Sequence, residues 1–228
     1  MSKIRFTEPN REIVARRDSI INDLTRRVDP AGLITSTDEC RAYETDALTA
    51  YRKMPLAVVL PKTTEEVSAV LKYCHDTGVK VVPRGAGTSL AGGAIPSEDA
   101  VVLGLSKMNR VLAVNYDDRF IRVEAGVTNL SVTAVVAENG FFYAPDPSSQ
   151  LACTIGGNIA NNSGGAHCLK YGVTTNNLLG VRMVLIDGSI IDLGGDYLDS
   201  AGLDLLGLVV GSEGQLGIVT EATHRILK

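Results

Sequence analysis

Pro83-Arg84-Gly85-Ala86-Gly87-Thr88-Ser89-Leu90-Ala91-Gly92-Gly93 puts four glycines into eleven residues, directly behind the apolar run 79–82. Residues this small let backbone N–H groups converge on an anion with no side chain in the way. Thr88 and Ser89 add hydroxyl donors. A pyrophosphate suits such a nest; an ordinary glycine-rich turn is the alternative. Two familiar phosphate motifs fail. Counted from Gly85, the last glycine of a dinucleotide fingerprint falls on Leu90, the position that packs helix on strand. No Gly-Lys-Ser/Thr follows, which excludes a P-loop.

A second window spans 145–165. Pro145 and Pro147 stiffen its entry, and Thr154 to Asn158 and Asn161 to Gly165 then read as a long, polar, conformationally permissive surface. Backbone amides along such a surface suit a large planar ligand rich in ring nitrogens and carbonyl oxygens. A solvated Ω-loop is the other reading, but Ile155, Ile159 and Ala160 are too apolar for a freely exposed loop. The third window, Gly211 to Gly217, runs into an apolar strand and alone would be only a turn. Together the three windows hold eleven of the 23 glycines, and that clustering needs a cause.

Other reactive residues are scattered. Cys40, Cys74, Cys153 and Cys168 form no CxxC pair and are expected as reduced thiols, not metal ligands. His75, His167 and His224 show no HExxH spacing. No metal site follows, and no catalytic base can be named.

The surrounding elements are legible from periodicity. The chain has 228 residues, 45% of them hydrophobic, with a net charge of −4, which disfavours a nucleic-acid footprint. Its apolar runs, such as 205–210, fall far short of the ~18 residues of a membrane span. Lys3, Arg5, Glu8 and Arg11 leave no room for a signal-peptide core, so a cytoplasmic location is expected. Ile13, Ile21, Leu24 and Val28 predict a helix over 11–28, docked on the body and not part of its core. Thr63 to Glu66 is a capping box opening a helix that ends at Gly78. With strands at 57–60 and 79–82 it predicts a βαβ unit over 56–83 with parallel strands, and 101–105 adds a third. Beyond that, 111–115 and 120–124 predict a hairpin, 129–138 a helix ending at Gly140, and 181–186 with 189–193 a hairpin closed by a type I′ turn at Asp187-Gly188. A last strand covers 217–227. The fold class is α+β in two lobes: a small βαβ-containing parallel lobe at about 51–110, then a larger, mainly antiparallel lobe with helices at 111–228. Residues 1–50 form an N-terminal helical segment.

All three glycine windows, in this order, resemble the FAD-binding domain of the flavoprotein family that includes vanillyl-alcohol oxidase and p-cresol methylhydroxylase. Within it, YETDALTAYRKMPLAVVLPKTTEEV, PRGAGTSLAGG, YAPDPSSQLACTIGGNIANNSGGAHCLKYG and VVGSEGQLGIVTEAT are most similar to the flavin subunit of bacterial glycolate oxidase and its D-lactate dehydrogenase relatives. The resemblance covers residue 35 onward. It implies that Pro83, Arg84, Gly85, Ala86, Gly87, Thr88 and Ser89 hold the FAD pyrophosphate. It implies that Pro145, Asp146, Ser148, Thr154, Gly156, Gly157, Asn158, Asn162, Ser163, Gly164 and Gly165 line the isoalloxazine and ribityl region, with Gly214 and Ile218 near the adenine or ribose. Family members that tether flavin do so through a histidine. The first loop has Ala86 and no histidine, and His167 lies beyond the ring-lining run, so non-covalent FAD is expected; for His167 a structural role is preferred over the alternative of a site residue.

The family's enzymes continue into a second, substrate-binding domain that this chain lacks. The resemblance therefore implies a fragment whose isolated form turns over no hydroxy acid. For the full-length relative it implies oxidation of a small 2-hydroxy acid to the 2-keto acid, with electrons passed to a partner such as an iron–sulfur subunit. A non-catalytic FAD-binding module or scaffold subunit is the rival. A different cofactor in the same nest, as in molybdenum-enzyme flavin subunits, is weaker because PDPSSQLACTIGGN resembles the hydroxy-acid oxidases more.

Overall fold

The computed structural model describes residues 7–196 and 202–228; Lys3 and Arg5, used above to read the N-terminus, lie outside them. The architecture is α+β, with one largely parallel sheet and one antiparallel sheet.

The first sheet has the order β1 (Leu33–Ile34), β2 (Ala57–Val59), β4 (Ala100–Gly104), β3 (Lys80–Arg84). α4 (Thr64–Thr77) crosses from β2 to β3. Its N-cap Thr63 accepts a hydrogen bond from the Glu66 amide, and Gly78 closes it at φ +72°. The strands of the βαβ unit are parallel as expected, but they are not neighbours. β4 inserts between them, pairing in parallel with both. Its five residues are all buried, which suits a central strand covered on both faces. The register aligns Val59 with Leu103 and Arg84 with Gly104, so the carboxyl ends of the three strands open on one side. Open α/β sheets bind ligands there.

The N-terminal segment departs from its expected helix. α1 (Arg11–Ala15) and α2 (Arg17–Leu24) are separated at Arg16, whose ψ of 9° leaves the helical region. With α1 set by Ile13, the next inward positions are Ile20, Leu24 and Val28, and Ile21 turns half outward. All four inward residues belong to the apolar cluster built on Val67, Val70 and Leu71 of α4. They are core, not an attachment. A short helix, α3 (Thr37–Cys40), follows.

The second sheet has the order β5 (Val111–Asn115), β6 (Phe120–Glu124), β9 (Ile218–Arg225), β7 (Leu178–Val184), β8 (Ile190–Gly194), antiparallel throughout. α5 (Asn129–Val136) and α6 (Ile155–Asn161) contribute Val132, Val136, Ile155 and Ile159 to its core, beside Ile121, Met183 and Ile226. The expected strand and helix pairs appear at 111–124 and 129–140. The β7–β8 turn corrects its prediction. Of the Asp187-Gly188 pair only Gly188 has positive φ, at +88°, and the Gly188 amide donates to the Leu185 carbonyl. Leu185 N–H donates in turn to Ser189 O, which makes a three-residue loop with a left-handed glycine in place of a type I′ pair.

His224 on β9 is fully buried, with Nδ1 3.3 Å from the Tyr143 hydroxyl. Burial disfavours the imidazolium and moves the pKa from 6.5 down to about 4. Because the unfolded chain binds this proton more readily, stability is complete above about pH 6.5 and drains away as pH falls towards 4. Melting curves taken across that window should therefore fall, by on the order of 2–3 kcal/mol from this one group. His224→Gln should flatten that part of the profile; a variant with the wild-type slope would remove His224 from the account.

Candidate cofactor site

The first glycine window leaves the carboxyl end of β3 and folds over a segment far upstream. Arg84 is only 9% exposed. Its Nη1 donates to the carbonyls of Thr45 (2.7 Å), Ala94 (3.3 Å) and Tyr43 (3.5 Å), and the guanidinium lies 5.6 Å from the Tyr43 ring centroid. Gly87, at φ +72°, packs its Cα on that guanidinium: an added Cβ would sit 2.6 Å from Arg84 Cζ. Asp46, 3% exposed, ties down the far end by accepting from the amides of Gly92 (2.9 Å) and Leu48 (3.0 Å). The Ala47 amide donates to Ser89 O. Residues 43–48 thus form a back plate against which the loop is moulded.

The second window is not a loop throughout. Ile155 to Asn161 make α6, whose N-cap Thr154 side chain accepts from the Gly157 amide and whose C-cap Asn162 has φ +48°. Ile155 and Ile159, one turn apart, are fully buried. This explains why residues too apolar for a solvated loop stand among glycines and asparagines. α6 meets the first window directly, since a Cβ on Gly85 would overlap Thr154 Oγ1. The third window closes the arrangement after α8 (Leu205–Val209). The amides of Gly211 and Glu213 donate to Ile159 O and Ala160 O, and a Cβ on Gly214 would lie 2.6 Å from Pro83 Cγ.

The three windows converge on one cleft of about 240 Å³. Pro83, Arg84, Gly85, Ala86, Gly87, Thr88, Ser89, Thr154, Gly156, Gly157, Asn158, Ser163, Gly214 and Ile218 line it. Pro145, Asp146, Ser148, Asn162, Gly164 and Gly165 do not. They frame the adjoining wall: Pro145 O accepts from Asn129 Nδ2, and Asp146 accepts from the His167 amide and lies 2.6 Å from His167 Nδ1. Gly165 lies against the Asp146 carbonyl, Asn162 accepts from the Thr175 amide, and Ser148 is exposed. His167 serves this frame from an exposed position.

Sequence reasoning missed several lining residues. Leu105 enters because β4 ends level with β3, and its amide donates to Arg84 O. Ser149 and Cys153 stand just before α6, and Ser212 and Glu213 form the third turn, with Glu213 at φ +53°. Burial raises the Cys153 thiol pKa, which makes it a poor nucleophile.

FAD asks for close-packed backbone donors at its diphosphate and hydrogen-bonding groups at its ring. The glycine cradle supplies the first. For the second, Asn158 is 1% exposed, and its Nδ2 has no hydrogen-bond partner among the described residues. A buried orphan donor in a cleft wall is costly unless a ligand accepts from it.

Residues 55–194 match the family described as FAD binding domain. The glycolate oxidase subunit GlcD of Escherichia coli K12 is 49% identical over 211 residues, which cover 92% of this chain and 42% of that protein. A D-lactate dehydrogenase of Archaeoglobus fulgidus is 40% identical, covering 91% and 46%. A D-2-hydroxyglutarate dehydrogenase of Xanthomonas citri is 37% identical, covering 92% and 44%. The chain thus spans less than half the length of these relatives. Solved alkyldihydroxyacetonephosphate synthase shares the fold, with TM-score 0.82 at 23% identity over 98% of this chain and 42% of its own. The chain belongs to the FAD-binding domain family, with FAD as its cofactor.

Proposed function

We propose that the cleft holds FAD non-covalently and that the chain is the flavin-binding part of an oxidoreductase converting a small 2-hydroxy acid, of glycolate or D-lactate type, to the 2-keto acid. The observation that carries this reading is the convergence of all three glycine windows on one cleft, in a chain 49% identical to a glycolate oxidase subunit. Bound FAD supplies a two-electron acceptor for the substrate's α-hydrogen. The chain's own residues hold and orient it. Amides of 84–88 with the Thr88 and Ser89 hydroxyls seat the diphosphate; Thr154, Asn158 and Ser163 face the ring and ribityl chain; Gly214 and Ile218 border the adenosine. No histidine lines the cleft, and its one thiol is held protonated by burial, which supports a non-covalent site.

The base that takes the hydroxyl proton, and the cations that bind the substrate carboxylate, are assigned to the additional length that the relatives carry. Electrons would leave through a separate subunit, for which an iron–sulfur protein is the natural chemistry. Among the described residues no helix is long and apolar enough to cross a membrane; a cytoplasmic site of action is part of the proposal.

The test is spectroscopic. After incubation with FAD and desalting, the purified chain should keep the flavin bands near about 370 and 450 nm. Under anaerobic conditions glycolate or D-lactate should leave those bands intact in the chain alone and bleach them once the complementary domain of a relative is added. A colourless protein would defeat the cofactor site. Bleaching by the chain alone at a full-length rate would defeat the division of labour. No bleaching in either case would favour a non-catalytic flavin module.

A further inference from the structure

Arg84 is a buried cation without an anion in contact. Two other buried charges of the described residues are ion-paired, Asp99 by Lys80 at 2.8 Å and Glu124 by Arg110 at 2.7 Å, while buried Asp46 is held by backbone amides. Arg84 donates only to main-chain carbonyls, and among the described residues no carboxylate lies within ion-pair distance of it. Asp46 is the acid whose field reaches it, but both Asp46 oxygens are occupied by the amides of Leu48 and Gly92. Burial alone pushes the guanidinium pKa down, the mark of a desolvated charge. Such a charge is unfavourable in the empty protein and becomes useful only beside a compensating anion.

The geometry places that anion. Gly87 packs directly on the guanidinium and also lines the cleft, so a single thickness of backbone separates the cation from whatever the loop cradles. We infer that the Arg84 guanidinium is the counter-cation of the cofactor's diphosphate, acting from behind Gly87 in the glycine loop. It is a positioning residue. The loop amides give the diphosphate its hydrogen bonds, and the buried charge gives the site its sign and selects a doubly anionic ligand over a neutral flavin. The inference rests on the reading that residues 83–89 seat the diphosphate.

Apoprotein titrated with FAD, followed by flavin fluorescence, tests it on three chains: wild type, Arg84→Met and Arg84→Lys. Each is also melted without FAD. Loss of the unit charge beneath the loop should weaken binding by about 10- to 100-fold in Arg84→Met. Melting of that apoprotein weighs the three carbonyls left without a donor against the removal of a desolvated charge, and shows whether the chain still folds. Arg84→Lys, which keeps the charge, should recover most of the affinity. Wild-type affinity in Arg84→Met would overturn the inference. So would equal losses in both variants with lowered melting, which would reduce Arg84 to a structural clamp. If the wild-type chain itself takes up no FAD, the cofactor seat has failed, and this inference with it; if it binds and the variants bind equally, only the inference has failed.

Discussion

A Gly87→Asp chain should purify folded and colourless. The position sits at φ +72°, where L side chains are strained, and its Cβ vector points straight into the Arg84 guanidinium. An aspartate there does two kinds of damage. It displaces the guanidinium from the carbonyls of residues 43, 45 and 94 or pairs with it, and in either case it cancels the positive charge behind the loop proposed to seat the diphosphate. FAD affinity should fall more than about 100-fold, since a negative charge replaces the positive field behind the loop and the loop backbone must shift to admit it. Melting without cofactor should change little, because the loop contributes few side chains to either core. Gly78→Asp is the matched control: it has the same φ of +72° with nothing within 4 Å of an added Cβ. It should be strained yet yellow. Flavin retention by Gly87→Asp at wild-type affinity would mean that the loop does not seat the diphosphate.

Deletion of residues 1–50 should abolish folding. Ile13, Ile20, Leu24 and Val28 are all buried in the cluster that α4 shares. At about 1.5–3 kcal/mol for each buried side chain, their loss is worth about 6–12 kcal/mol, comparable to the whole stability of an ordinary domain. The deletion also strips β1 from the edge of β2 and removes the back plate that holds Arg84 and Gly92. The shortened chain is expected in inclusion bodies, without a cooperative melt on refolding. If residues 51–228 alone melt cooperatively within a few degrees of the full chain, the core assignment is wrong and residue 51 is a domain boundary.

Local grammar carried much of this structure into view. The Thr63 N-cap, the αL closures at Gly78 and Gly140 and both hairpins rest on interactions between near neighbours, which a linear pattern records; the reciprocal half of the expected capping box does not form, because the Glu66 carboxylate accepts from the amides of Lys62 and Asp29. Order within a sheet is a different matter. Parallel strands at 57–59 and 80–84 could be anticipated, but the insertion of β4 between them depends on which strand is the most apolar on both faces. α6 was hidden for another reason. Ile-Gly-Gly-Asn-Ile-Ala-Asn has poor helix propensity, and the helix exists through the Thr154 cap and the burial of Ile155 and Ile159 against the second sheet. At the site, the glycines announced a close approach. Their sequence could not say that a guanidinium lay beneath, because its carbonyl partners at residues 43 and 45 come from far upstream.

The second sheet has its last strand in its middle. β9 pairs β6 on one side and β7 on the other, and its first residues, Ile218 and Val219, are cleft wall. During synthesis two half-sheets, β5–β6 and β7–β8, must wait with bare edges until β9 arrives, an interval in which edge pairing with a second nascent chain competes with the correct closure. FAD cannot hasten that step by templating it, because its own wall is missing until β9 is in place. On the proposed seat, cofactor loading should follow closure of the sheet, and chaperone dependence should track the arrival of β9 and not the supply of flavin.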